Sequence, residues 1–310
     1  MNEILAFHSA YEGIEAWRES LAPLLPEIEI LHDSEIKHPE RVRSAMIWAP
    51  PDGFFARFEN LQLIINLGAG VDQLLERSDL PDVPIVRLSD PAMARMMASY
   101  TLFSVLRHAR DIPFFEAAQR RREWTFRLPR HAFEISVAVL GLGELGALAA
   151  DEIARHGFDT HGWATRPREL PSVTVHTGAD ALLPLIAEMD IVVSMLPLTP
   201  ETRNILDARA FAAMKPGAAL VNLSRGAVVE EEALIAALRS GHLSGAALDV
   251  FQREPLPPES PLWGLPGVLV TPHLASFASP KTSAEQVARN VMASREGRPL
   301  CHQVSRARGY

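Results

Sequence analysis

The sequence predicts an α/β protein made of two doubly wound parallel-sheet domains, and three observations carry that expectation. Short apolar runs rich in β-branched residues alternate with helical stretches along the whole chain. One run, Val137-Ala138-Val139-Leu140, leads into Gly141-Leu142-Gly143-Glu144-Leu145-Gly146 and then at once into the helical segment Ala147–Ala154. The length, 310 residues, exceeds the usual size of one domain, so two cores are expected.

Composition narrows the function before any motif is weighed. With 47% hydrophobic and 22% charged residues, the chain has the balance of an ordinary globular protein. A formal net charge of −8 argues against a nucleic-acid partner and against an anionic membrane surface, since both call for a basic face. An anionic ligand must then be held by local cations or backbone amides. At a Debye length of about 8 Å in physiological salt, arginines within a site outweigh distant surface carboxylates. The start, Met1-Asn2-Glu3-Ile4-Leu5-Ala6-Phe7-His8, has no basic segment leading into a long apolar one, and no run is long enough to span a bilayer; a cytoplasmic location is expected. The single cysteine, Cys301, excludes an intramolecular disulfide. The 11 histidines show no metal-type spacing, so no metal is expected.

In chain order, Ile4–Phe7, Ile28–Leu31, Ala45–Trp48, Leu63–Leu67 and Val83–Val86 read as strands of a small parallel sheet. The fourth ends in Gly68-Ala69-Gly70, whose amides are candidates for holding a substrate carboxylate, because ligands of open α/β sheets sit at the carboxyl ends of strands. From Pro91 to about Arg122 runs one long helical pattern, apolar nearly all round, as expected for a helix buried between domains or between subunits. The glycine turn opens a second series, with strands at Thr160–Ala164, Asp190–Pro197, Ala218–Leu223, Gly245–Val250 and Gly267–Thr271 and a helix over Glu230–Leu238. A last helix begins at Ser279-Pro280, serine as its N-cap and proline at its first position, and returns to the first domain.

The glycine turn is the signature of a dinucleotide site. Gly141 permits the tight turn, Gly143 lets a pyrophosphate approach the backbone, and Gly146 lets the helix pack on its strand, while the free amides at the helix start attract the anion. Leu142, Glu144 and Leu145 complete the cofactor-binding turn. Leu196 and Pro197 at one later strand end, Thr202 beyond them and Leu223 at another are further cofactor-binding candidates. Which dinucleotide is bound is read from the next strand. Where an acidic residue would bind the ribose hydroxyls of NAD, 18 residues beyond Gly146, stands Ala164, followed by Thr165, Arg166, Pro167 and Arg168. A hydroxyl and two guanidiniums suit a 2′-phosphate, so NADP(H) is preferred and NAD(H) remains possible; the alternative is that these arginines only solvate a loop.

Three polar residues follow successive strands of the second half: Arg225, Glu254 and His273. Hydride transfer to a 2-oxo carbon leaves negative charge on oxygen and requires a proton. His273 can supply the proton, Glu254 can orient and charge the imidazole, and Arg225 can fork onto carboxylate and carbonyl oxygens.

In this order of glycine turn, arginine, glutamate and histidine, the chain resembles the D-isomer-specific 2-hydroxyacid dehydrogenases, and most closely their glyoxylate/hydroxypyruvate reductase A branch. Trp48-Ala49-Pro50-Pro51, Leu67–Asp72, Arg253–Trp263 and the terminal Arg306–Tyr310 carry the resemblance to the branch. The resemblance implies a Rossmann nucleotide-binding domain, residues 97–277, inserted in a smaller flavodoxin-like substrate-binding domain, residues 1–96 plus 278–310. It also implies Arg225 as substrate clamp, His273 as acid and base with Glu254 as its partner, Asp249 near the nicotinamide carboxamide, Trp48 in the substrate pocket, and a homodimer. For Trp48, packing beneath a loop is the competing reading, and for Asp249 it is capping of a strand end. The implied reaction is NADPH-dependent reduction of glyoxylate or hydroxypyruvate. The rivals are a dehydrogenase of the same family acting on another 2-hydroxy acid and a non-catalytic, redox-sensing nucleotide-binding regulator. Ser99 stands where the wider family often has a glutamate at the start of the long helix.

Overall fold

The computed structural model describes residues 2–306, and the chain divides into two compact units: residues up to Met93 together with those from Phe277 onward, and Ala94–Ser276. The terminal stretch beyond Arg306, part of the branch resemblance, lies outside the described residues.

The first unit carries strands β1 (Glu3–Ser9), β2 (Ile28–His32), β3 (Val42–Trp48), β4 (Leu63–Asn66) and β5 (Ile85–Arg87), with helices α1 (Glu15–Leu21) and α2 (Asp72–Leu75). The sheet runs β2-β1-β3-β4-β5, every recorded pair parallel. This is the flavodoxin-type order, with its switch point between β1 and β3. Alternation along β1 feeds two cores: Leu5 and Phe7 join one cluster with Trp17 and Leu21 of α1, and Ile4 and Ala6 join the other with Phe54, Phe55 and Phe58.

The division between units falls within α3 (Pro91–Ala109), and α4 (Ile112–Arg120) follows it. The single long helix expected to Arg122 is therefore broken. Asp111 takes a left-handed conformation at φ 51°, and Pro113, which has no N–H to donate, sits in the first turn of α4. In the single chain, α3 leaves Met96, Phe103 and Leu106 46%, 50% and 37% exposed along one stripe.

The second unit holds β6 (Ser136–Leu140), α5 (Glu144–Arg155), β7 (Asp159–Ala164), β8 (Thr174–Thr177), α6 (Leu182–Ile186), β9 (Ile191–Ser194), α7 (Ala208–Ala213), β10 (Ala219–Asn222), α8 (Glu231–Arg239), β11 (Gly245–Leu248) and β12 (Val268–Val270). The sheet order is β12-β11-β10-β9-β6-β7-β8, all parallel. Counted from β6, this is the doubly wound dinucleotide-binding order with one strand added, and its switch point lies between β6 and β9. All of β6, β9 and β10 is buried, as expected for strands covered on both faces. The edge strand β8, Thr-Val-His-Thr, is half exposed and has no apolar run, which is why the sequence does not announce it.

The last helix, α9 (Pro280–Arg295), belongs to the first unit and buries Val287 and Val291 in the Leu5 cluster. Pro280 occupies its first position, yet the Ser279 side chain makes no cap bond. The hydroxyls of Thr282 and Ser283 in that first turn donate instead to Asp90 Oδ2. Among the described residues, no helix is long and apolar enough to cross a membrane.

Candidate active site

Parallel order places the carboxyl ends of β10, β11 and β12 side by side, and each is followed by one of the polar residues singled out above. Arg225 comes just after β10. Its carbonyl accepts from Asn222 Nδ2 at 3.1 Å, while Asn222 Oδ1 takes the Ser224 amide at 3.2 Å and hydroxyl at 2.8 Å. Gly226 then lies so close to the segment after β11 that a Cβ would fall 1.8 Å from the Phe251 carbonyl carbon. Only a glycine allows these two loops to meet.

Beyond β11, Asp249 is 2% exposed, and its carboxylate is engaged by the segment that carries His273. Thr271 Oγ1 donates to Oδ1 at 2.7 Å, the Leu274 amide to Oδ1 at 2.9 Å and the Ala275 amide to Oδ2 at 2.8 Å. The Asp249 carbonyl also takes the His273 amide at 2.8 Å. Burial pushes this carboxyl above its ordinary range, against the pull of those donors. Tyr100 Oη, from α3, adds a 2.6 Å bond to Thr271 Oγ1. The brace holds His273 at φ 53°, a left-handed conformation that a histidine adopts only when its surroundings impose it.

There His273 Nδ1 meets Glu254 Oε2 at 2.8 Å, while Glu254 Oε1 accepts the Phe251 amide at 3.0 Å. Burial would raise the Glu254 carboxyl. The hydrogen bond and charge of His273, with the Phe251 amide and Arg225, outweigh it and hold the carboxyl below its ordinary range. With Nδ1 committed, proton exchange with a ligand falls to Nε2.

The glycine turn follows β6 at the switch point. Gly141 has φ 95°, and a Cβ on Gly146 would lie 1.9 Å from the Gly141 carbonyl oxygen, so the start of α5 presses directly on the turn. At Gly143, the N-cap of α5, a Cβ would meet nothing within 4 Å. Open space at a helix N-terminus is what a pyrophosphate needs, so the residues present fit a dinucleotide. Leu142 packs its side chain on Gly162, and its carbonyl accepts from the Arg168 guanidinium, which ties the segment after β7 to the turn. Thr165, Arg166 and Arg168 are exposed there.

The other cofactor candidates have visible structural duties. Leu196 and Leu223 are 5% exposed within the two cores of this unit. Thr202 Oγ1 bonds the Pro197 carbonyl at 2.6 Å and the Thr199 amide at 2.8 Å, fixing the loop after β9.

In the first unit, Trp48 ends β3 and Gly68-Ala69-Gly70 follows the neighbouring β4. The indole lies on Gly68, where a Cβ would stand 2.0 Å from Trp48 Cζ3. Asn66 Nδ2 ties back the carbonyls of Gly68 and Gly70 at 2.9 Å each.

Comparison with known proteins identifies the family. Residues 102–275 match the family described as D-isomer specific 2-hydroxyacid dehydrogenase, NAD binding domain. The whole chain is 33% identical to glyoxylate/hydroxypyruvate reductase A of Serratia proteamaculans strain 568, over 99% of each. The chain belongs to the D-isomer specific 2-hydroxyacid dehydrogenase family. A dehydrogenase of this family from Xanthobacter autotrophicus Py2, solved with NADPH and MES, superimposes with a TM-score of 0.93 at 53% identity over 100% of both chains. An NADPH-dependent glyoxylate/hydroxypyruvate reductase from Sinorhizobium meliloti, solved with NADP and sulfate, gives 0.92 at 32% identity, again over 100% of both.

Within this 2-hydroxyacid dehydrogenase, sequence reasoning did not single out Asn66, Tyr100 or Thr271. Asn66 had a readable signal, a lone amide in the apolar run Leu63–Leu67. Tyr100 and Thr271 had none, since they are 171 residues apart.

The depressed Glu254 carboxyl has a consequence for stability. Its contribution is present above the ordinary carboxylate range and is lost as the pH falls through the lower folded-state value. In urea unfolding, the stability gap between wild type and Glu254→Gln should be full at neutral pH and close below about pH 4. A gap that is constant with pH would mean that the Glu254 carboxyl titrates alike in the folded and unfolded chain.

Proposed function

We propose that this protein reduces small 2-oxo acids, glyoxylate and hydroxypyruvate first among them, using NADPH. The observation that carries the reading is the 2.8 Å His273–Glu254 pair at strand ends shared with Arg225, in the same sheet as the glycine turn. A reduced nicotinamide, when bound, supplies the hydride. His273 Nε2 delivers the proton to the oxygen that gains charge, Glu254 keeps the imidazole oriented, and Arg225 draws the carbonyl and carboxylate oxygens into line. Trp48 and the Gly68–Gly70 amides take substrate-binding roles, supported by the carbonyls pinned through Asn66.

The NADPH preference rests on Ala164 in place of an acid and on Thr165, Arg166 and Arg168 after β7, with Arg168 already linked to the glycine turn. The NADPH bound by the Xanthobacter relative and the NADP bound by the Sinorhizobium reductase support it; NADH remains a usable second cofactor. The partner is a second copy of the chain. The exposed apolar stripe Met96, Phe103 and Leu106, with Trp124, Phe126, Leu128 and Phe133 at 70% exposure or more, is surface that a homodimer would cover.

The purified protein should consume NADPH when given glyoxylate or hydroxypyruvate, and His273→Ala should lower turnover by about 100-fold or more while nucleotide binding persists. Turnover confined to other 2-oxo acids in a panel would move the substrate assignment. Tight NADPH binding without turnover on any of them would mark a regulator instead. Arg166→Ala with Arg168→Ala should raise the KM for NADPH by about tenfold or more and that for NADH far less. Equal changes for both cofactors would remove the phosphate clamp. Sedimentation should find two chains per particle, and Trp124→Asp with Phe126→Asp should shift the protein toward single chains; a wild-type monomer at micromolar concentration would exclude the dimer.

A further inference from the structure

A cluster outside this machinery lies at the carboxyl ends of β1 and β2. Register pairs Phe7 with His32, so His8, the next residue of β1, lies beside Asp33, the first residue past β2. His8 Nδ1 stands 3.3 Å from Asp33 Oδ1, and His32 Nδ1 stands 3.1 Å from the same oxygen. The ligand atoms that the three side chains offer all lie within 4.8 Å of one another.

We propose that His8, His32 and Asp33 form a binding site for a divalent cation of the zinc class. Two atoms bound to one tetrahedral ion at about 2.0–2.1 Å stand about 3.3–3.4 Å apart, and both separations to Asp33 Oδ1 fall close to that spacing. The donor set, two imidazole nitrogens and one carboxylate oxygen, suits zinc and its neighbours, whereas magnesium and calcium call for several oxygens.

The hydrogen bonding leaves room for the ion. His8 Nδ1 is buried and has no hydrogen bond, although a carboxylate oxygen is within 3.3 Å. An orphaned ring nitrogen facing a carboxylate and a second imidazole is accounted for by a cation among them. His32 Nδ1 accepts from the Ser34 amide at 3.3 Å, so the lone pair that would bind an ion is held by a long hydrogen bond that the ion must displace. Ser34 Oγ lies 2.8 Å from the same atom and must yield it on binding, so the site is of moderate affinity.

Supporting contacts orient the ligands. Arg57 Nη1 donates to Asp33 Oδ2 at 3.3 Å and Nη2 donates to the Asp33 carbonyl at 2.9 Å, which turns Oδ1 toward the histidines. The ring of Phe54, 5.6 Å from that of His8, provides an apolar wall. Three protein ligands leave a coordination position for water. Bound there, the ion ties the exit of β1 to the exit of β2 and stabilises the first unit by mass action.

The test uses the full-length chain, free of any affinity tag and stripped with a chelator. Zinc titrated calorimetrically should bind at one equivalent per chain and raise the melting temperature, and cobalt added to the stripped protein should give the visible absorption of a four-coordinate site that zinc then displaces; magnesium should do none of these. His32→Ala and Asp33→Asn should each weaken zinc binding by about tenfold or more, while His176→Ala, which removes the histidine that lies 3.0 Å from His161, should not. Melting curves without metal establish that the variants fold, and His32→Gln replaces His32→Ala if the latter does not. Zinc binding that is absent, or that is equal in wild type and both ligand variants, would overturn the site.

Discussion

The Asp249 carboxylate sits out of solvent at the end of β11 and is met by three donors from the segment that carries His273. Burying a carboxylate without partners costs several kcal/mol, and burial does push this one above its ordinary range. What offsets the cost is two amides and a hydroxyl in fixed directions, which means that the segment 271–275 is held in one conformation. That conformation gives His273 its φ of 53° and so aims Nδ1 at Glu254. The His273–Glu254 contact is therefore a consequence of a buried carboxylate one strand away, and Tyr100 extends the same brace back to α3 through Thr271.

A second constraint is the closeness of backbones. Gly226 brings the loop bearing Arg225 against Phe251, and Gly146 brings α5 against Gly141. In both places a single methyl group would fall within 2 Å of a backbone atom, so the guanidinium, the carboxylate and the phosphate-type turn owe their spacing to side chains that are absent. Packing at interior density leaves no slack to absorb such an addition.

The two sheets use the same principle differently. In the second unit, the glycine turn, Arg225, Glu254 and His273 all follow strands of one parallel sheet. In the first, one end of the sheet carries Trp48 against Gly68, while the neighbouring ends of β1 and β2 carry the His8, His32 and Asp33 cluster. Parallel strands of one sheet bring their carboxyl ends to the same edge, so side chains distant in the chain meet there.

The sequence by itself determined the alternation of strands and helices, the glycine turn at the end of β6 and the identity of Arg225, Glu254 and His273, because periodicity and turn chemistry are local properties. It did not reveal β8, whose residues need not be apolar at a sheet edge, nor the break at Asp111, where the helical pattern continues across a left-handed residue. Tertiary structure alone decided the Asp249 brace, the Tyr100–Thr271 bond and the convergence of His8 with Asp33. Each depends on strand order and register, which bring together residues far apart in the chain, and no local pattern records which strands will be neighbours.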